Sequence, residues 1–202
     1  MRFLSIITFF LAATLCNVST FAKTILFLGD SLTAGYGLKA EFAFPAIVEK
    51  NLKQNDQQIR VINGGVSGDT TAGGLRRLTW MLKSSPDIVV VALGSNDMLR
   101  GISPQIVRSN LEKILQILAE KNIQAALMSV PAAPNLGRKY ERDFNKVYSD
   151  LSDKFKIPLL KNFLEDVVLK PNLNLADSIH PNAEGHKIIA ERVEKFLKDS
   201  VL

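Results

Sequence analysis

The 202-residue chain is nearly devoid of cysteine: its one thiol is Cys16, inside an apolar N-terminal stretch. Disulfide staples, thiolate nucleophiles and cysteine-built metal sites are thereby excluded from residues 23–202, so the fold must be held by its core alone. Histidine is almost as scarce, with only His180 and His186. Two imidazoles make a poor metal-binding set, and neither a metal nor an organic cofactor is expected. The charge lacks organisation as well. A formal net charge of +5 comes from basic residues interleaved with acids, as in Glu191-Arg192-Val193-Glu194-Lys195, where Glu191 and Lys195 are spaced as a helical ion pair. No aromatic residues interleave with a basic stripe, which argues against nucleic acid as a partner and leaves at most weak attraction to a membrane surface. Internal repeats, low-complexity tracts and linkers are also missing, so one domain is expected, as a monomer.

What is present begins with a leader. Arg2 supplies a short positive region, Phe3 to Cys16 is apolar apart from Ser5 and two threonines, and Thr20-Phe21-Ala22 offers the small residues that a signal peptidase reads. The apolar run is shorter than the roughly 20 residues a spanning anchor needs, and it ends in the polar Asn17-Val18-Ser19-Thr20. Leu15 stands where a lipoprotein signal needs a small residue before its cysteine. Residues 1–22 are therefore read as a secretory signal cleaved near Ala22, and residues 23–202 as a single exported domain.

Short β-branched or leucine-rich runs recur at Thr24–Leu28, Ile59–Ile62, Ile88–Leu93, Ala125–Val130 and Ile157–Leu160. Between them lie stretches of helical periodicity, clearest at Thr70–Lys83, Pro104–Lys121, Tyr140–Phe155 and Ala183–Leu197. The alternation predicts a parallel sheet covered by helices on both faces. In such a sheet the loops leaving the carboxyl ends of the strands share one edge, where ligands bind. Four polar blocks fall in those loops: Gly29-Asp30-Ser31-Leu32, Asn63-Gly64-Gly65-Val66-Ser67-Gly68-Asp69, Gly94-Ser95-Asn96-Asp97 and Asp177-Ser178-Ile179-His180-Pro181.

Together these blocks hold the parts of a hydrolytic site. A serine hydroxyl needs a base to remove its proton, and the base needs a partner to fix its tautomer. Asp177-x-x-His180 can supply both to Ser31, whereas His186 falls within the last helix, at the edge of the core. A tetrahedral oxyanion needs donors aimed at it, a task suited to a glycine N–H such as that of Gly68 and to a neutral amide such as Asn96.

The blocks resemble those of the SGNH, or GDSL, hydrolase superfamily across nearly all of residues 23–202. More narrowly, Gly29-Asp30-Ser31-Leu32-x-Ala34-Gly35-Tyr36, Ser67-Gly68-Asp69-Thr70 and Leu169-Lys170-Pro171 are similar to the bacterial periplasmic enzymes that act as thioesterase, lysophospholipase and arylesterase. The resemblance implies a flavodoxin-like α/β three-layer sandwich with a five-stranded parallel sheet. It also implies Ser31 as nucleophile, His180 as base, Asp177 orienting it, and oxyanion donors from the Ser31 N–H, the Gly68 N–H and the Asn96 side chain. Small-molecule acyl esters, thioesters or lysophospholipids are the implied substrates, and a periplasmic or secreted location follows from the leader. Ser95, and the Gly64-Gly65 pair, depart from the pattern of the nearest relatives without touching a catalytic position.

Rival readings fare worse. The G-x-S-x-G elbow of α/β-hydrolases fails at Thr33. Gly35-Tyr36-Gly37-Leu38-Lys39-Ala40 matches a dinucleotide fingerprint but starts well past the strand, and Phe42-Ala43-Phe44-Pro45 follows where the phosphate-binding helix should continue. Carbohydrate O-deacetylation is the alternative within catalysis. Apolar residues near the expected site, among them Ile179, favour an acyl chain instead. The loop 131–139, with Leu136 as apolar contact and Gly137 as pivot, is either a cover that folds over long acyl chains, as the resemblance implies, or a plain connector.

Overall fold

The computed structural model describes residues 23–54 and 58–202; the expected leader, residues 1–22, lies outside the described residues. Five strands form one parallel sheet: β1 (Lys23–Gly29), β2 (Ile59–Gly65), β3 (Ile88–Ala92), β4 (Gln124–Met128) and β5 (Leu159–Leu160), in spatial order β2-β1-β3-β4-β5. Alternate residues of the central strands feed opposite faces. Ile25 and Phe27 of β1 join Ile88 and Val90 of β3 in one core, while Leu26, Leu28, Val89 and Val91 join the other. Because both faces are covered, each central strand reads as a continuous apolar run.

Helices α2 (Phe44–Gln54) and α7 (Ala183–Ser200) cover the first face, and α3 (Thr71–Met81), α5 (Pro104–Glu120) and α6 (Arg138–Phe155) the second. Two single-turn helices, α1 (Ser31–Ala34) and α4 (Ser95–Leu99), leave the ends of β1 and β3. The product is the expected three-layer α/β sandwich. No helix among the described residues is long and apolar enough to cross a membrane.

Several local expectations needed correction. Helix α2 begins at the Phe44-Pro45 pair read as interrupting a helix: Pro45 sits in the first turn, where a missing N–H costs nothing. The Phe44 N–H is satisfied by His186 Nδ1 at 3.1 Å, and the two rings stack at an interplanar angle of 14°. His186 is thus a fully buried acceptor rather than a residue at the rim of the core. Burial, with a smaller contribution from the charge of His180, holds its imidazole down at about 4, so it stays neutral. Strand β5 is shorter than expected because Ile157 closes α6, its N–H bonding the Ser152 carbonyl at 3.1 Å after Lys156 turns left-handed. Lys195, spaced from Glu191 as a helical ion pair, instead pairs with Asp199 one turn onward.

Two constraints fix how β3 passes into α4. Gly94 has φ +121°, and a Cβ there would lie 2.0 Å from the hydroxyl of Tyr148, which donates to the Leu93 carbonyl at 2.8 Å. Only glycine fits. One step further, the fully buried Asp97 accepts the Thr71 N–H (2.8 Å) and the Thr71 hydroxyl (2.6 Å), while Asn110 Nδ2 donates to that hydroxyl at 3.0 Å. The junction ties α4 to the start of α3 and, through Thr71, to α5. Asp97→Ala strands the Thr71 donors without their charged acceptor, and should lower unfolding free energy by about 1.5–3 kcal/mol in urea titrations. An unchanged transition midpoint would mean that solvent replaces the carboxylate.

Candidate active site

Gly29 is paired on both sides, with Gly65 of β2 and Ala92 of β3, so three loops leave the sheet at one level. Asp30 caps α1 by accepting the Leu32 N–H at 3.0 Å, which sets Ser31 at the first helical position, 9% exposed. The four-residue helix ends at Gly35, whose N–H bonds the Ser31 carbonyl at 3.1 Å. The glycine run read above as a dinucleotide rival therefore closes this turn.

The loop after β5 brings the other half. An isolated antiparallel bridge, Asn174 with Pro181, and a 2.7 Å bond from the Leu175 N–H to the His180 carbonyl pinch off the segment between them. Asp177 Oδ1 accepts the N–H groups of Ile179 and His180, each at 2.9 Å, and Oδ2 lies 2.7 Å from His180 Nδ1. His180 Nε2 lies 2.9 Å from Ser31 Oγ. A carboxylate can only accept, so Nδ1 carries the proton and Nε2 is left to accept the serine hydroxyl. The N–H and side chain of His180 and the N–H of Ile179 hold the Asp177 carboxyl down at about 2. It is ionised at neutral pH.

Gly68 and Asn96 lie on the neighbouring loops. Gly68 has φ +80°, a conformation that side chains resist, and its carbonyl is held by Arg100 Nη2 at 2.9 Å, just beyond the helix that carries Asn96. Among the described residues the N–H groups of Ser31 and Gly68 meet no protein acceptor. Asn96 Nδ2 lies 3.4 Å from Asp30 Oδ2, which ties the amide to the residue preceding Ser31. Of the two substrate-binding candidates, Ile179 is 55% exposed within the Asp177–His180 segment, whereas Leu136 is half-buried against the second core. The base of its loop is fastened: the Ala132 N–H to Asn145 Oδ1 (2.8 Å), the Ala133 N–H to Met98 Sδ (3.0 Å) and the Tyr140 hydroxyl to the Ile102 carbonyl (2.8 Å). Among the described residues no three His, Asp or Glu side chains gather as a metal cluster.

The sequence reading missed the groups that brace these loops. Arg77 of α3 donates through Nε to Asp69 Oδ2 (2.7 Å) and through Nη2 to the Gly29 carbonyl (2.8 Å), tying the Gly68 loop to the end of β1. Gly73 leaves the room for that carboxylate, since a Cβ there would meet Asp69 Oδ1 at 1.6 Å. Asp69 stands beside Gly68 in the second block, but nothing in the sequence pairs it with Arg77.

Asp30 belongs to the first sequence block, whose pattern announces no separate role for it. It is completely buried, and burial pushes its carboxyl up to about 6 against the opposing pull of the Leu32 N–H, Ser95 and His180. The native state therefore holds this proton more tightly than the unfolded chain, whose carboxyl titrates near 3.8. The stabilisation is complete below that value and is lost as pH rises through about 6. Asp30→Asn keeps the cap oxygen without the buried charge, so above pH 7 the variant should be more stable by on the order of 1–3 kcal/mol. Its amide would present a donor to the Asn96 donor, and kcat should fall about tenfold or more. Urea unfolding across pH and ester hydrolysis check both; a variant with the wild-type pH dependence of stability would place the native Asp30 titration elsewhere.

Comparison with known proteins bears on the family and the fold. The sequence pattern described as the GDSL-like lipase/acylhydrolase family matches residues 27–188. The protein named arylesterase in Vibrio mimicus is 37% identical over 97% of this chain and 97% of its own length. The protein named thioesterase 1/protease 1/lysophospholipase L1 in Escherichia coli K12 is 40% identical over 98% of this chain and 91% of its own. A solved structure of the psychrotrophic esterase EstA from Pseudoalteromonas sp., inhibited by monoethylphosphonate, superimposes with a TM-score of 0.84. It is 32% identical and covers 87% of this chain and 97% of that one. The chain belongs to the GDSL-like lipase/acylhydrolase family.

Proposed function

We propose that this chain hydrolyses carboxylic esters and thioesters of acyl chains through an acyl-enzyme on Ser31. The observation that carries the reading is the hydrogen-bonded line from Asp177 through His180 to Ser31 Oγ, in a member of an acylhydrolase family. His180 Nε2 takes the hydroxyl proton as Oγ attacks the acyl carbon. The oxyanion that forms receives the N–H groups of Ser31 and Gly68 and the amide of Asn96. The imidazolium then gives its proton to the departing alkoxide or thiolate, leaving the acyl ester on Ser31. Water attacks that ester, with His180 again taking and returning a proton, and the free acid and Ser31 are released. Asp177 stays ionised throughout and stabilises the imidazolium.

Arylesters, acyl-CoA thioesters and lysophospholipids are the proposed substrates, after the activities named in the relatives. Exposed Leu99 and Ile179, together with half-buried Leu136, supply apolar surface suited to an acyl chain. Residues 1–22 direct export, with cleavage near Ala22, so the enzyme works as a monomer in the periplasm or outside the cell, with at most weak membrane-surface contact.

The test is covalent labelling. Ser31→Ala should abolish both turnover and labelling by an organophosphonate ester while the fold persists, a loss on the order of 10⁶ in kcat. His180→Ala should behave likewise. His186→Ala, which removes only a packing acceptor, should retain the active-site chemistry; a dead His186 variant with an active His180 variant would reassign the base.

Acyl length provides the second test. Rates measured from acetyl to palmitoyl esters should rise with chain length, whereas a maximum on acetylated sugars would replace this reading with carbohydrate O-deacetylation. Leu136→Ala should lower kcat/KM about tenfold or more on a long acyl ester and scarcely alter acetyl ester hydrolysis, because the short group does not reach the loop. Equal losses on both would show that Leu136 supports the scaffold, as its packing on the second core also permits.

A further inference from the structure

The aromatic ring of Tyr36 lies against the imidazole of His180, with ring centroids 4.5 Å apart and planes tilted by 37°. The residue is 51% exposed, so burial in the core is not what holds it there. Its backbone is anchored instead: the Tyr36 N–H and the Gly35 N–H both donate to the Ser31 carbonyl, each at 3.1 Å. Tyr36 therefore reaches from the residue that carries the hydroxyl to the ring that removes its proton, two parts of the site that arrive from opposite ends of the chain.

We infer that Tyr36 is a positioning residue that holds the His180 ring toward Ser31 Oγ and stabilises its protonated form through the face of the phenol. The inference rests on the assignment of His180 as base given above. During each turnover the imidazole becomes a cation, and a cation within about 6 Å of an aromatic centroid is attracted by the ring quadrupole. Neutral imidazole gains less from that face, so the contact is stronger in the transition state than before reaction, which is the condition for raising kcat. The other groups that act electrostatically on His180 are Asp177 in its own loop, Asp30 at the end of β1 and His186 in α7. Substitution of Tyr36 leaves all three in place, so a shift in the acid limb of the rate profile reports the ring.

Tyr36→Leu keeps an apolar cover but removes the quadrupole, and Tyr36→Phe keeps the ring without the hydroxyl. The Leu variant should lower kcat about two- to fivefold and move the acid limb of the kcat/KM profile down by about half a pH unit. The Phe variant should restore both. Phosphonate titration of active sites normalises the rates, and thermal unfolding of each variant checks that the fold is unaltered. An unmoved acid limb in the Leu variant would overturn the inference, and so would a rise in KM alone, which would make Tyr36 a substrate surface. A Phe variant that behaves like Leu would overturn it too, by assigning the effect to the hydroxyl. If Ser31→Ala stays inert to phosphonate while the Leu variant matches wild type, the triad reading stands and only this inference fails.

Discussion

Gly29 is the fixed point of this molecule. As the last residue of a strand with hydrogen-bonded neighbours on both sides, it shares its level with Gly65 and Ala92. Ser31, Gly68 and Asn96 are each only a few residues past that level. Slippage of a buried strand by one residue would exchange its two faces and bring Ile25 and Phe27 into the wrong core, so the register is held by the whole apolar interior. The hydrophobic energy of the sandwich is thus what fixes the relative positions of the polar groups at its edge. The braces across that edge, Arg77 to Asp69 and to the Gly29 carbonyl, and Arg100 to the Gly68 carbonyl, need only refine a placement the sheet has already made.

Two carboxylates of the site are pushed in opposite directions by their surroundings. Asp177 lies at the surface among donors and is held down at about 2; Asp30 is buried and rises to about 6. The two histidines also differ in setting. His180 keeps one nitrogen on a carboxylate and the other on a hydroxyl, whereas His186 is sealed in the core as a neutral acceptor for the first turn of α2. Burying Asp30 costs stability at neutral pH, yet its Oδ2 orients the amide of Asn96. This is the pattern expected where a chain accepts local instability to preorganise donors.

Much of this arrangement was legible in the sequence because its causes are local or periodic. Doubly covered parallel strands must be apolar throughout, which exposed β1 and β3 at once, and the rule that ligands gather at strand carboxyl ends turned four separated blocks into one expected site. What escaped has long-range causes. Helix α2 was hidden because its first turn contains Pro45 and is satisfied by a histidine 142 residues away. The Arg77–Asp69 pair and the Asp97–Thr71–Asn110 junction link elements whose contact no periodicity announces. The irregular loop after β5 has no regular period either; only its Asp177-x-x-His180 spacing gave it away.

That loop shows how an imidazole can be held in place without a helix or strand beneath it. One carboxylate does two jobs: Oδ1 closes a turn on the Ile179 and His180 N–H groups, and Oδ2 meets the ring of the residue just fixed. The turn and the tautomer are therefore set by the same side chain. Beneath it, Asn174 Nδ2 bonds the carbonyls of Val167 (2.9 Å) and Lys170 (2.8 Å), and Asn182 caps α7 through the N–H groups of Glu184 and Gly185. Each end of the segment is thus tied to buried structure by an asparagine, and the segment between has little freedom left. The reach from Asp177 to Ser31 Oγ follows from backbone bonds on both sides of the imidazole rather than from the side chains alone.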